Sequence, residues 1–258
     1  MSRGLGDVYK RQVRGYYAKL GVKLEREDIL ATSGGGEALE FIMACILDDG
    51  DELLVPEPFY ANYNTFTFMS GGVIHPIPTS ADNGYRFADR KLIESQINER
   101  TRAILVTNPG NPTGLVLTHE EMRVIADVVK EHDLFLVADE VYREFIYDDE
   151  PMGTFCEMED IKDHVIVVDS ISKRFSACGA RIGSIISRNR EFMAEAMKLC
   201  QGRLCTATLD QTGAAAMYEH VQPSYFKEVR DEYKKRRDAV VEAVSYTHLR
   251  AHETLANL

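Results

Sequence analysis

The part of this chain best placed to do covalent chemistry is a lysine set among small hydroxyl residues. Ser170-Ile171-Ser172-Lys173-Arg174 follows an apolar run at residues 165–168, and Arg181 stands eight residues after the lysine. Most lysines are solvated surface groups. One at the carboxyl end of a buried strand becomes a Schiff-base nucleophile if its amine is kept neutral. Like charge on Arg174 and Arg181 is expected to favour that neutral form. Two further apolar runs end in polar clusters. Residues 103–107 lead into Asn108-Pro109-Gly110-Asn111-Pro112-Thr113-Gly114, and residues 134–138 into Asp139-Glu140-Val141-Tyr142. Paired X-Pro steps fix the backbone and aim an asparagine amide inward, although a plain turn would look similar. A carboxylate that closes an apolar strand is costly to bury unless a cation or donor meets it, so Asp139 marks a ligand, a helix cap or an ion pair. Tyr142 can point to the same place. In the fourth cluster, Ser33-Gly34-Gly35-Gly36-Glu37, glycines open a helix whose free N–H groups can hold an anion. It lacks the P-loop lysine and the G-x-G-x-x-G spacing, and alone it reads equally well as a flexible turn.

The elements that must position these clusters alternate along the chain. Continuous apolar runs at 52–55, 103–107, 134–138, 165–168 and 183–187 read as strands. Between them, helices are expected over 36–47, from Thr118 onward and over 190–200. Thr118 and Glu121 form a capping box, and Met122, Ile125, Ala126 and Val129 fall on one face. Apolar strands separated by amphipathic helices imply an α/β fold, with a mostly parallel central sheet and helices on both faces. Ligands in such sheets bind at the carboxyl ends of the strands. All four clusters are therefore expected on one rim. Residues 223–241 read as a long charged helix leaving the domain. The aromatic run Tyr60, Tyr63, Phe66 and Phe68 reads as core rather than a pocket wall.

Composition narrows the class. The 258 residues carry a formal net charge of −11, which argues against nucleic acid or an anionic membrane as partner. No apolar run is long enough to span a bilayer. Five scattered cysteines form no zinc pattern and read as reduced thiols in a cytoplasmic protein. The two ends look foreign to the rest. A transposon-library adapter read in one frame encodes V-S-Y-T-H-L-R-A-H-E-T, residues 244–254. Its reverse complement, in another frame, encodes S-R-G-L-G-D-V-Y-K-R-Q, residues 2–12. Residues 1–12 and 244–258 are therefore expected to be adapter-derived tails, not native sequence. Arg3, Lys10 and Arg11 against Asp7 contribute +2, and Arg250 and Glu253 cancel, so residues 13–243 carry −13.

In order and spacing, the four clusters together resemble the class I/II aminotransferases, fold-type-I enzymes that use pyridoxal 5′-phosphate. The resemblance covers residues 13–243. It implies a large, cofactor-binding domain over 13–222, incomplete at its start. Residues 223–243 would begin the helix that leads to a small domain largely missing here. It also implies site roles. Lys173 would hold the cofactor and shuttle the proton, and Asp139 would pair with the pyridine nitrogen. Tyr142 and Asn111 would hydrogen-bond the ring's phenolic oxygen, and Tyr60 would stack on the ring. Gly34, Gly35 and Gly36 would offer N–H groups to the phosphate together with Ser170, Ser172 and Arg181, whose fork suits phosphate geometry. No metal is implied.

The expected activity is ping-pong transfer of an amino group from an L-amino acid to a 2-oxo acid, of aspartate type or of broad specificity. A carbon–sulfur β-lyase of the same fold would share the cofactor residues, and so would a non-catalytic regulatory domain that binds the cofactor. A nucleotide-binding α/β domain is disfavoured by the missing fingerprints. The family's arginine for the substrate carboxylate and its N-terminal segment, which lends a tyrosine across the dimer, have no counterpart in these residues. The chain as written is therefore expected to be poorly active or inactive alone, and the full-length protein to be a homodimer.

Overall fold

A computed structural model describes residues 5–147 and 152–246. Among these, strands β1 (Ile29–Thr32), β2 (Glu52–Pro56), β3 (Val73–Ile77), β4 (Thr101–Thr107), β5 (Phe135–Asp139), β6 (Val165–Ser170) and β7 (Gly183–Ser187) form one sheet. Its order is β1-β7-β6-β5-β4-β2-β3. The run from β3 to β6 is parallel, and β7 lies antiparallel between β6 and β1. The mostly parallel sheet expected from the sequence is what forms.

Both faces of the central strands are buried, which is why those strands read as continuous apolar runs rather than as alternating ones. In β4, Ile104 and Val106 join one core and Ala103 and Leu105 the other. The first core is closed by helices α1 (Leu5–Lys19), α5 (His119–Glu131) and α8 (Thr208–His220). The second is closed by α2 (Gly35–Ile46), α3 (Asn62–Met69) and α7 (Arg190–Arg203). Two short helices, α4 (Arg90–Glu94) and α6 (Ile171–Arg174), and the long α9 (Pro223–Tyr246) complete the set. The α5 capping box is present: Glu121 N–H donates to Thr118 Oγ1 at 3.2 Å, and Thr118 N–H to the Glu121 carboxylate at 2.9 Å. No helix among the described residues is long and apolar enough to cross a membrane.

Two strands escape a reading by periodicity. β1 has only four residues, and β3 carries His75 and Pro76, which its position at the sheet edge tolerates. α1 begins at Leu5, so it takes in residues 5–12, and it buries Tyr9, Val13 and Tyr17 completely. Four-residue spacing puts these side chains on one stripe, so the apolar face continues through the supposed junction. At the other end α9 runs on to Tyr246, and the remainder of the expected rear tail lies outside the described residues. Replacing the α5 cap, Thr118→Ala, is expected to lower stability by about 1 kcal/mol, read as a shift in urea midpoint with an unchanged slope.

Candidate active site

Three neighbouring parallel strands end at one rim, as their apolar-to-polar transitions implied. Thr107 closes β4, Asp139 closes β5 and Ser170 closes β6, and Thr107 and Asp139 are register partners. Asp139 is buried. Tyr63 of α3 donates its hydroxyl to Asp139 Oδ2 at 2.8 Å, and Val141 N–H reaches Oδ1 at 3.3 Å. Because the single Tyr63 proton is committed to Asp139, Thr107 Oγ1, 2.7 Å away, donates to Tyr63. Among the described residues no cation pairs with Asp139. Burial pushes its pKa up to about 6, and the bonds from Tyr63 and Val141 offset only part of that rise.

Lys173 sits on the single turn of α6, exposed at the same rim. Ser170 caps this turn by accepting from Ser172 N–H at 3.1 Å. The lysine Nζ lies 5.6 Å from the centroid of the Tyr142 ring. Burial raises the Tyr142 phenol above its usual range, and the Lys173 charge acts in the opposite direction. The turn that carries Tyr142 is tied down from below. Fully buried Glu140 accepts from Arg143, from Thr154 Oγ1 at 3.0 Å and from Phe155 N–H at 3.2 Å.

The glycine run leaves a helix start open. No side chain caps α2, so its first N–H groups stay open. Gly34 has φ +88°, and a Cβ there would lie 2.6 Å from Arg181 Nη2. The Arg181 guanidinium covers this helix start, donating to the Ser33 carbonyl at 3.1 Å and to the Cys178 carbonyl at 3.2 Å. Gly35 packs over Val168, Val141 and Ser170, whereas Gly36 has only Phe66 beyond it. Ser170 Oγ and Ser172 Oγ lie 2.9 Å apart on the facing turn. Gly183 of β7 allows the two sides to meet, because a Cβ there would come within 2.7 Å of the Gly34 carbonyl carbon.

Arg174 does not stand beside the Lys173 amine as the sequence suggests: it is 1% exposed and its charge is paired with Asp169 Oδ2 at 2.9 Å. The aromatic run is not uniformly core. Tyr63 is buried, but Tyr60 is 39% exposed and Phe68 is 81% exposed. Tyr60 sits just before α3, packs edge-on against Tyr63 at 5.4 Å and accepts from Asn62 Nδ2 at 2.7 Å. Asn111, half-buried, lines a small cavity with Thr107, Phe59 and Tyr85. Tyr63, Thr107 and Gly183 carry no mark in the sequence that separates them from ordinary core residues.

The sequence model of the family described as aminotransferase class I and II matches residues 7–254. The chain belongs to this family. It is 30% identical over 227 residues to a putative aminotransferase, YugH, of Bacillus subtilis, covering 87% of this chain and 58% of that protein. It is 31% identical to an aspartate aminotransferase of Pyrococcus abyssi, covering 83% of this chain and 55% of the relative. A solved mutant aspartate aminotransferase of Thermus thermophilus superposes with a TM-score of 0.89 at 26% identity, over 96% of this chain and 65% of that one. An aromatic aminotransferase of Pyrococcus horikoshii gives 0.87 at 28% identity, over 93% and 64%. The chain thus spans about three fifths of the length of these proteins.

Class I/II aminotransferases use pyridoxal 5′-phosphate. The residues here fit that group. An uncapped helix start under a guanidinium suits the phosphate, a buried carboxylate without a cation suits a protonated pyridine nitrogen, and a lysine amine stands at the same rim.

Because the folded-state pKa of Asp139 lies above the usual value of 3.8, this carboxyl keeps its proton in the folded, cofactor-free protein between about pH 4 and 6, where the unfolded chain releases it. The contribution of Asp139 to stability is therefore expected to fall as pH rises through that window. Asp139→Asn should flatten the slope and stabilise the cofactor-free protein at pH 7 by on the order of 1–3 kcal/mol, as measured by denaturant titration across pH.

Proposed function

We propose that this chain is the cofactor-binding part of an aminotransferase that moves an amino group from an L-amino acid to a 2-oxo acid in two half-reactions. One observation carries the reading: the buried carboxylate of Asp139, which meets no cation among the described residues, shares a rim with Lys173 and with the Arg181-covered start of α2. When bound, pyridoxal phosphate supplies an electron sink for the carbanion formed at the substrate α carbon. Asp139 would accept a hydrogen bond from the ring nitrogen and keep it protonated. Lys173 would hold the cofactor covalently, and its freed Nζ would carry the proton from the substrate α carbon to the cofactor's 4′ carbon. Tyr142 and Asn111 would bond the phenolic oxygen, with Tyr60 against the ring face. The N–H groups of Gly34, Gly35 and Gly36, the hydroxyls of Ser170 and Ser172, and the Arg181 fork would hold the phosphate.

An aspartate-type or broad substrate range is part of the same proposal, supported by relatives named as aspartate aminotransferases. So is a homodimer of the full-length protein, which the exposed apolar Phe68, Met69, Leu204 and Leu209 favour.

The test is a single half-reaction. The protein, extended to the length of its relatives and loaded with pyridoxal phosphate, is mixed with an amino acid. One equivalent of 2-oxo acid per site is expected, followed by a stop until a second 2-oxo acid is added. Continuous release of ammonia would instead indicate a lyase. Lys173→Ala should slow the half-reaction by at least about 10²-fold, read by rapid mixing.

A further inference from the structure

α6 has four residues, too few to be stable by its own hydrogen bonds. It nevertheless carries the lysine on which the proposed chemistry turns, so something outside it must fix its orientation. Consecutive residues on such a turn point about 100° apart. Lys173 faces the open rim, and Arg174 is driven into the core beneath it, 1% exposed.

The burial of Arg174 is organised around the strand that feeds the turn. Its Nη1 donates to Asp169 Oδ2 at 2.9 Å and to the Tyr218 hydroxyl at 2.5 Å. Its guanidinium carbon sits 4.1 Å from the Tyr16 ring centroid and 5.5 Å from that of Tyr218. Glu144 stands 3.5 Å from its Nε and accepts from the Tyr16 hydroxyl at 2.5 Å. The other oxygen of Asp169 accepts from Ser170 N–H at 2.7 Å, the residue that caps α6. One ion pair therefore links the strand end, the cap and the last residue of the turn, and the tyrosines tie it to α1 and α8. A buried ion pair of this kind contributes little net stability over an apolar replacement, and its attested use is to select one arrangement.

We infer that Arg174, through Asp169, is a positioning residue: it orients the α6 turn so that the Lys173 amine meets the cofactor's aldehyde carbon. This rests on the cofactor reading above. Arg174 touches neither cofactor nor substrate in this role.

The experiment compares the unsubstituted protein with Arg174→Met and Arg174→Lys. Pyridoxal phosphate is added, the Lys173 amine condenses with the aldehyde with loss of water, and borohydride hydride fixes the new bond. Peptide mapping then gives the rate of capture at Lys173. Pyridoxamine phosphate, which has no aldehyde, reports binding without capture. Arg174→Met is expected to slow capture about 10-fold while changing pyridoxamine phosphate affinity less than about 3-fold, and Arg174→Lys to restore part of the rate. Hydrogen exchange of the cofactor-free protein supplies a readout that needs no ligand. The Phe175 and Ser176 amides should exchange about 10-fold faster in Arg174→Met, with β4 to β6 unchanged.

Equal losses of capture and affinity would overturn the inference, as would unchanged capture or unchanged exchange at α6. If the unsubstituted protein captures no cofactor, the cofactor reading fails and the exchange result alone decides the anchoring. Should Arg174→Met not fold, the paired variant Arg174→Met with Asp169→Leu removes both charges and is read in the same way. Normal capture by that pair would contradict the inference.

Discussion

A carboxylate at the end of a buried central strand is the constraint around which the rest of this structure is arranged. Asp139 closes β5, between β4 and β6, where burial leaves its charge little solvated. The fold supplies two donors, Tyr63 and Val141, and no cation among the described residues. A chain of hydroxyls from Thr107 through Tyr63 to Asp139 orients one lone pair and leaves the group half-compensated. Burying an uncompensated charge is among the most costly things a protein interior can do. Here the cost is held at the rim of the sheet, where a protonated ring nitrogen would relieve it.

The remaining groups converge because they sit on ends rather than on middles. The α2 start offers its N–H groups because no side chain caps it, and the strand ends offer Thr107, Asp139 and Ser170 side by side. The short segments that leave this rim after β5 and β6 each carry a buried arginine paired to a buried carboxylate. Arg143 with Glu140 holds the turn bearing Tyr142, and Arg174 with Asp169 holds the turn bearing Lys173. Loop-borne reactive groups gain the rigidity of the sheet in this way, since geometry within about 0.5 Å is what such chemistry requires.

How much of this could be read from the residues follows from the kind of signal each one leaves. The places of Asp139 at the end of β5 and of Lys173 just past β6 are legible because each follows a short apolar run, and a run that stops in a polar residue is visible in one dimension. The parallel sheet was legible for the same reason. Tyr63 was not, because a tyrosine that reaches Asp139 from α3 looks in sequence like any aromatic of a helix face. Gly183 left no mark because its reason is the approach of the Gly34 backbone from far away in the chain. Arg174 was misread: the sequence shows a charge beside the lysine but not that the charge points into the core. Tyr9 was set aside with a segment that looked foreign, yet the α1 stripe buries it regardless of origin.

Asp139 is a destabilised carboxylate that a cationic ring would complete. Carbon NMR of the Asp139 carboxyl, followed across pH with and without pyridoxal phosphate, is the decisive experiment. Titration near pH 6 is expected in the cofactor-free protein. With the cofactor bound, the carboxylate should stay ionised well below that pH. An ordinary aspartate titration in the free protein, or the same midpoint in both states, would contradict it.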